Sequence, residues 1–287
     1  GPEAEHLFEF WKEQLAQPVP ILELPTDRPH PAIKSYRGGT RLLKLNDDLA
    51  SRLRSFAKAE NVTLYTTLLT AFQTLLYRYS GQDDIIVGAP TAGRSQPEFR
   101  EVVGCLVGGI FIRADLSGPP TFKELLQQIR RKLLEALEHQ DYPNTLIIER
   151  LKLPIDRTIR LEEDPDEDES AAWLKFETLL EDTFSLQHRG SLFDLMMIGV
   201  DSGSSLSLII QHCADVFNDE TIARLEVHFQ NLLEAITRDP ERSIAELPML
   251  SEGERHTLLN DWNRGGTLDR KPGCYHEFFE RAVAEYP

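Results

Sequence analysis

The stretch TLYTTLLTAFQTLLYRYSGQDDIIVGAP, residues 63–90, joins a helical pattern to a strand pattern. Apolar residues recur at helical spacing from Leu64 to Tyr79, and Gly81 stands where a C-terminal cap is expected. The run DDIIVGAP, residues 83–90, is apolar at its centre and closed by Gly-Ala-Pro, which is typical of a buried strand. A helix followed by a buried strand predicts an α/β fold.

The rest of the chain continues this alternation. We expect helices over 5–16, 47–60 and 121–138, and another that begins after Asn218 as its N-cap. The apolar stripe of the helix over 121–138 is expected to be core. Strands are expected at 40–45 and 105–116, and a β-hairpin at 192–200 and 206–213. The hairpin makes the predicted sheet mixed, with helices flanking it. The pair Gly108-Gly109 inside a strand predicts a bulge, or a close approach by another backbone or a ligand.

A proline-rich segment separates the first helix from the first strand. Residues 18–39, PVPILELPTDRPHPAIKSYRGG, contain five prolines. Because proline fixes φ and removes a backbone donor, we expect an extended linker laid over the surface of the domain.

Composition excludes several classes of protein. Apolar residues are 41% and charged residues 27%, with no run long enough to span a membrane. The first residues lack a signal-peptide pattern, so we expect a soluble, cytoplasmic protein. Gly1-Pro2 resembles the remnant of a cleaved tag. The net charge of −16 argues against a nucleic-acid partner, and the seven acidic residues of LEEDPDEDES, residues 161–170, predict a solvated loop.

No metal site or disulfide framework is expected. Cys105, Cys213 and Cys274 show no C-x-x-C spacing, and the eight histidines include no i,i+4 pair on a predicted helix. The sequence also lacks the Walker, G-x-G-x-x-G, H-E-x-x-H and G-x-S-x-G motifs.

The stretch EALEHQDYPNTL, residues 135–146, holds the strongest candidates for chemistry. His139 acts as a general base only if it reaches a proton and has an orienting partner. In the structural interpretation, which the residue types favour, Asp141 caps the next helix and Pro143 lies in its first turn. For Arg94, the interpretation as a salt-bridged scaffold residue is preferred to that as a substrate clamp. For His212, a strand histidine with satisfied hydrogen bonds is preferred to a general base.

Four stretches carry a resemblance when they are taken in order. They are FWKEQLAQPVPILELPTDRPHP, TLYTTLLTAFQTLLYRYSGQDDIIVGAPTAGR, VVGCLVGGIFIRADL and HQDYP. Together they resemble the C-terminal lobe of non-ribosomal peptide synthetase condensation domains, whose fold is similar to chloramphenicol acetyltransferase. The resemblance covers residues 5–245, with an interlobe helix and linker at 5–38 after a leader at 1–4. Residues 246–270 resemble the linker to an adenylation domain, and 271–287 the start of that domain.

The resemblance implies a function that this chain performs only in part. In the family, two lobes enclose a tunnel in which donor and acceptor peptidyl carrier proteins present thioesters on phosphopantetheine arms, and an amide bond forms. The implied partners are those carriers, the N-terminal lobe and a downstream adenylation domain, with no cofactor bound directly. The family's HHxxxDG motif belongs to the other lobe, and no His-His occurs here. The chain alone is therefore expected to be inactive, with no catalytic residue assigned.

The positions that match family motifs are expected to shape the tunnel or lie beside it; they are Arg94, Gly104, Gly108, Gly109, His139, Gln140, Asp141, Tyr142 and Pro143. The chain departs from the family pattern where G-x-F-V-N-T becomes GCLVGG and where Asn144 follows Pro143. Of the motif that follows, at best Asp156 and Thr158 remain. An alternative is therefore a degenerate, non-catalytic lobe that binds carrier or adenylation domains, and a weaker one is a half-domain completed by another chain.

Overall fold

The computed structural model describes most of the chain. The described residues are 1–94, 97–99, 101–103, 106–153, 174–179, 190–191, 193–203, 205–264 and 275–285. They form two compact units, Gly1–Met249 and Leu250–Pro287. The acidic run at 161–170, Cys105, Cys274, Gly104, Asp156 and Thr158 lie outside the described residues.

A six-stranded mixed sheet forms the centre of the first unit. Its strands are β1 (Gly38–Lys44), β2 (Asp84–Thr91), β3 (Gly108–Asp115), β4 (Leu174–Leu179), β5 (Leu195–Asp201) and β6 (Leu206–Cys213), and their order across the sheet is β1-β6-β5-β4-β2-β3. β4 runs parallel to β2 and β5, whereas the other neighbours are antiparallel. The predicted α/β class with a mixed sheet is confirmed, and β5 and β6 form the predicted hairpin.

Helices flank this sheet and begin and end at residues that the sequence marks. Those of the first unit are α1 (Pro2–Gln14), α2 (Asp47–Ala59), α3 (Leu64–Ser80), α4 (Phe122–Glu138), α5 (Asn144–Leu151) and α6 (Asp219–Arg238). Thr63 caps α3 through its side chain, and Gly81 ends it with φ of 71°. Thr121 and Glu124 form a reciprocal capping box on α4. These termini agree with the predicted helices.

Helix α3 lies at the centre of the core. It packs against α4 and α6, and every residue from Thr66 to Leu76 is buried. The hydroxyls of Thr70 and Thr74 donate to the carbonyls of Thr66 and Thr70, so these buried polar groups are satisfied within the helix. Gln73, also buried, donates from Nε2 to the Ile112 carbonyl, but its Oε1 has no hydrogen-bond partner among the described residues.

The proline-rich linker follows the surface, as predicted. Between Leu15 and Arg37 it forms no helix or strand. The main-chain N–H groups of Asp27 and Arg28 donate to the carbonyl of Val216, and the Gln82 side chain bonds the backbone of Ile21 and Glu23. The linker is thus attached to the rest of the first unit through both its main chain and its side chains.

Two expectations about local structure are wrong, and a third, the N-cap of α6, is confirmed in position only. β3 begins at Gly108 rather than 105, and its pairing with β2 is unbroken, so the diglycine opens the strand and makes no bulge. Leu134 and Leu137 of the predicted core stripe are 50% and 37% exposed, because no described element covers the last turns of α4 on that side. Asn218 stands at the N-cap of α6, but its side chain accepts from Arg28 rather than from the helix.

The second unit contains shorter elements. α7 (Glu252–His256) starts with a capping box between Ser251 and Glu254 and runs into a π-helical turn, Thr257–Asp261. The last helix that the structure describes is α8 (Tyr275–Glu285). Among the helices that the structure describes, none combines the length and the apolarity that crossing a membrane requires.

Candidate functional site

The family-matched positions gather around the end of β2, the start of β3 and the α4–α5 connection. Arg94 follows β2, and its Nη1 donates to the carbonyls of Phe99 (2.6 Å) and Val102 (2.9 Å). These two contacts of Arg94 are to main-chain carbonyls of the β2–β3 connection. Gly93 before it has φ of 62°, and a Cβ there would collide with the Leu106 carbonyl, so the loop needs glycine.

The absence of Cβ atoms at Gly108 and Gly109 leaves space that side chains of neighbouring elements occupy. Gly108 lies opposite Thr91, and Gly109 opposite Pro90. A Cβ on Gly108 would stand 2.9 Å from Thr91 Oγ1, and one on Gly109 would stand 3.0 Å from Asn144 Nδ2. The group that approaches Gly109 is therefore the side chain of Asn144 from the start of α5, not the backbone or ligand that was expected.

His139 joins the end of α4 to helix α1. Its ring stacks on Phe10 with centroids 3.8 Å apart and planes 11° from parallel. Its Nδ1 lies 2.7 Å from the Glu135 carbonyl, which can only accept, so Nδ1 donates. The His139 carbonyl accepts from Trp11 Nε1 at 3.1 Å. These contacts place the imidazole in a structural junction.

The residues after His139 shape the turn into α5. Gln140 Nε2 donates to the Leu137 carbonyl at 2.8 Å. Asp141 is exposed, and Pro143 rather than Asp141 occupies the N-cap position of α5. The expectation that Asp141 caps this helix, with Pro143 in its first turn, is wrong. The reason is that the backbone is still extended at Pro143 (ψ 127°) and becomes helical only at Asn144.

Tyr142 forms a second junction between α1 and α5. It is buried against Phe8, and its hydroxyl accepts from Arg150 Nη1 at 3.0 Å. The Arg150 guanidinium lies 3.5 Å over the Phe8 ring and pairs with both oxygens of Glu5. The hydrogen bond from Arg150 lowers the pKa of the Glu5 carboxyl. The motif HQDYP thus holds α1 onto the α4–α5 turn.

Sequence reasoning missed a cluster beneath the linker. His30 Nε2 lies 2.6 Å from Oδ2 of Asp194, whose side chain is 4% exposed. The other oxygen, Oδ1, has no hydrogen-bond partner among the described residues. Arg28 spans the loop before α6, donating to the carbonyls of Ala214, Asp215 and Phe217. The polar residues between the prolines, Asp27, Arg28 and His30, were the available signal.

His212 differs in one respect from the expected satisfied histidine. It is buried in β6 as expected, but its Nδ1 has no partner in the part of the chain that is described. Burial lowers the pKa of the imidazole. Its Nε2 would lie 2.7 Å from a Cβ on Gly39, so the ring covers a glycine of β1.

The polar side chains of the assembled positions contact neighbouring parts of the chain. His139, Tyr142 and Arg94 use their polar atoms on backbone carbonyls or on Arg150, as given above. No group of three or more His, Cys, Asp or Glu side chains suited to a metal occurs in the described ranges. The arrangement orients α1, α5 and the β2–β3 connection around the glycines that open β3.

Known proteins are similar in sequence to this chain over nearly its whole length. The model of the family described as Condensation domain matches residues 3–259. One subunit of the linear gramicidin synthase of Brevibacillus parabrevis is 35% identical over 286 residues, which are 97% of this chain and 6% of that protein. Bacitracin synthase 2 of Bacillus licheniformis is 33% identical over 282 residues, 97% of this chain and 11% of that protein. The chain thus spans a small part of these relatives.

Solved structures share the fold. A four-domain nonribosomal peptide synthetase bound to AMP and glycine matches with a TM-score of 0.76 and 20% identity, over 88% of this chain and 21% of that one. The X-domain in complex with OxyB from teicoplanin biosynthesis matches with a TM-score of 0.75 and 24% identity, over 87% of this chain and 56% of that one. Since the family model covers most of its length, the chain belongs to the Condensation domain family.

Proposed function

We propose that this chain is the C-terminal lobe of a condensation domain and forms one wall of the tunnel in which a synthetase makes amide bonds. The observation that carries the proposal is a pair of facts. The condensation model matches residues 3–259, yet the sequence contains no His-His and therefore no HHxxxDG motif. The chain matches 56% of the length of the solved X-domain chain, which supports its assignment as one of two lobes.

The reaction assigned to the complete domain needs two carrier-bound substrates. The amine of the acceptor attacks the carbonyl carbon of the donor thioester. The C–N bond forms as the C–S bond breaks, the amine loses a proton, and the phosphopantetheine thiol of the donor carrier is released. In this proposal the chain supplies no acid or base. It supplies the junctions of His139 and Tyr142, which hold α1 and α5 beside the start of β3.

The partners follow from the same assignment. They are donor and acceptor carrier proteins with their phosphopantetheine arms, the N-terminal lobe, and an adenylation domain that follows the linker at 246–270. The similarity in fold to a four-domain nonribosomal peptide synthetase supports this set.

A specific observation favours a second candidate, a non-catalytic lobe that binds partner domains. Gly108 and Gly109 replace the Asn-Thr pair of the family motif, and Asn144 occupies the space beside Gly109. In that candidate the fold is retained and the tunnel lining is not.

The upstream sequence of the parent polypeptide tests the first proposal. We expect an intact HHxxxDG lobe ahead of residue 1, and a parent without one contradicts the proposal. If the lobe is present, product formation from carrier-loaded substrates separates the two candidates. Amide product that disappears when the second upstream histidine is changed to alanine excludes the purely binding candidate, and no product from the unmodified parent supports it.

A further inference from the structure

An apolar groove lies between the start of α3 and the last turns of α4. Its volume is about 610 Å³, within the range of small-molecule sites. Its apolar walls include Val62, Ile110, Leu133, Leu134 and Leu137. None of its lining residues belongs to α1 or α5, although Pro90 and Ile110 place one end of it beside the start of β3.

Two of the walls are exposed although the helix pattern predicts them to be core. Leu134 and Leu137 are 50% and 37% exposed, while Leu133 beside them is 7% exposed. Exposed leucine side chains are unfavourable in water. Covering them with a ligand would gain about 25 cal/mol of free energy for each Å² of apolar surface removed from water. The groove therefore offers a surface that gains by binding an apolar chain.

A single kind of charge lines the groove within the described part of the chain. Arg130 is half-buried, and it makes no ion pair and no side-chain hydrogen bond with any residue in the described ranges. None of the described residues that line the groove is acidic, although the chain as a whole carries a net charge of −16. An unpaired guanidinium at an apolar groove is complementary to a carboxylate, with which it can form two parallel hydrogen bonds.

We propose that the α3–α4 groove binds an aliphatic carboxylate, with its chain on Leu134 and Leu137 and its head group on Arg130. The proposal does not depend on the function proposed above, since it rests on the walls and the charge of the groove alone. The chemistry requires both parts of the ligand. An alkyl chain without the carboxylate lacks the ion pair, and a short carboxylate such as acetate lacks the apolar contact.

Calorimetric titration of the full chain with dodecanoate, below its micelle concentration, tests the proposal. We expect saturable binding at one site, and weaker binding of uncharged dodecanol. Arg130→Gln should weaken dodecanoate by about tenfold or more while leaving dodecanol unchanged, because charged hydrogen bonds are worth more than about 1.4 kcal/mol. Leu134→Asp should weaken the binding of both ligands. Because Leu134 is exposed, the substitution should leave the chain folded, so unfolding would not explain the loss of binding.

Matched controls separate the groove from general adsorption. Arg131 is the next arginine on α4 and is exposed, and Val227 is an exposed apolar residue of α6; neither lines the groove. Arg131→Gln and Val227→Asp should leave binding unchanged. Absence of saturable binding, or equal affinity in Arg130→Gln and the unmodified chain, overturns the proposal. So does concentration-dependent dimerisation in sedimentation that Leu134→Asp abolishes, because the occupant is then a second copy.

Discussion

Gly93 and Gly118 have the same backbone conformation but different surroundings. Both have φ of 62°, yet a Cβ on Gly93 would collide with the Leu106 carbonyl, whereas one on Gly118 would meet nothing within 4 Å. Gly118→Ala should lower the unfolding free energy by about 1 kcal/mol, because alanine is strained in the left-handed backbone conformation and nothing else opposes its Cβ. Gly93→Ala should cost more than about 3 kcal/mol, because the backbone of the β2–β3 connection must move. Urea denaturation measures both, and equal costs would contradict the contact.

His139 is predicted to act through packing. His139→Ala removes the stack on Phe10 and the bond to the Glu135 carbonyl, so we expect a loss of about 1–3 kcal/mol in unfolding free energy. Glu138→Gln, at an exposed position of the same turn, should change stability by less than about 0.5 kcal/mol. Unchanged stability of His139→Ala together with selective loss of turnover in the parent enzyme would show a chemical role instead.

At the scale of elements, the linker is held by groups that titrate. The Ser35 hydroxyl donates to the carboxylate of Asp215, a residue whose side chain is 7% exposed, and this hydrogen bond lowers its pKa. The backbone N–H of Asn218 likewise lowers the pKa of Asp27. A carboxyl whose pKa is lowered by folding stabilises the protein at pH values above its unfolded pKa of about 3.9, and that contribution is lost as pH falls through the folded pKa.

The acid sensitivity of the linker should therefore depend on Asp215. Between about pH 5 and pH 2, the unfolding free energy of the unmodified chain should fall more steeply than that of Asp215→Asn, which keeps an acceptor oxygen but has no proton to bind. Asp239→Asn, at the C-terminal end of α6, serves as the control. The readout is the urea midpoint at each pH, and parallel curves for Asp215→Asn and the unmodified chain would refute the prediction.

The elements were predictable where local pattern decides them, and less so where distant residues do. Thr63, Gly81 and Thr121 mark helix ends through bonds within a few residues, so the sequence predicts them. The exposure of Leu134 depends on which element covers α4, which periodicity does not record. His30 and Asp194 meet across 164 residues, and only the fold brings them together.

Of the candidate site, the positions were more predictable than their contacts. The motif HQDYP is recognisable in the sequence, but its partners Phe10, Trp11 and Phe8 come from α1. The diglycine predicted a bulge or the close approach of another backbone or a ligand, whereas the structure places the side chain of Asn144 beside Gly109.

At the scale of the whole molecule, the first unit depends on residues close to its end. Ile244 and Leu247 are fully buried, and Arg78 donates to both of their carbonyls. A chain ending at Met249 should unfold within a few degrees of the first unit in the full chain. In a chain ending at residue 243, the unfolding free energy of the first unit should fall by more than about 4 kcal/mol, because two buried aliphatic side chains are removed. Equal thermal midpoints for the two truncated chains would contradict this.

The central claim is that this chain shapes a condensation site whose catalytic histidines lie outside it. Single-turnover amide formation, with donor and acceptor thioesters loaded on their carriers, tests the claim most directly when the isolated chain and the parent polypeptide are compared. We predict amide product from the parent and none above background from the isolated 287 residues. Amide product from the isolated chain would contradict the claim.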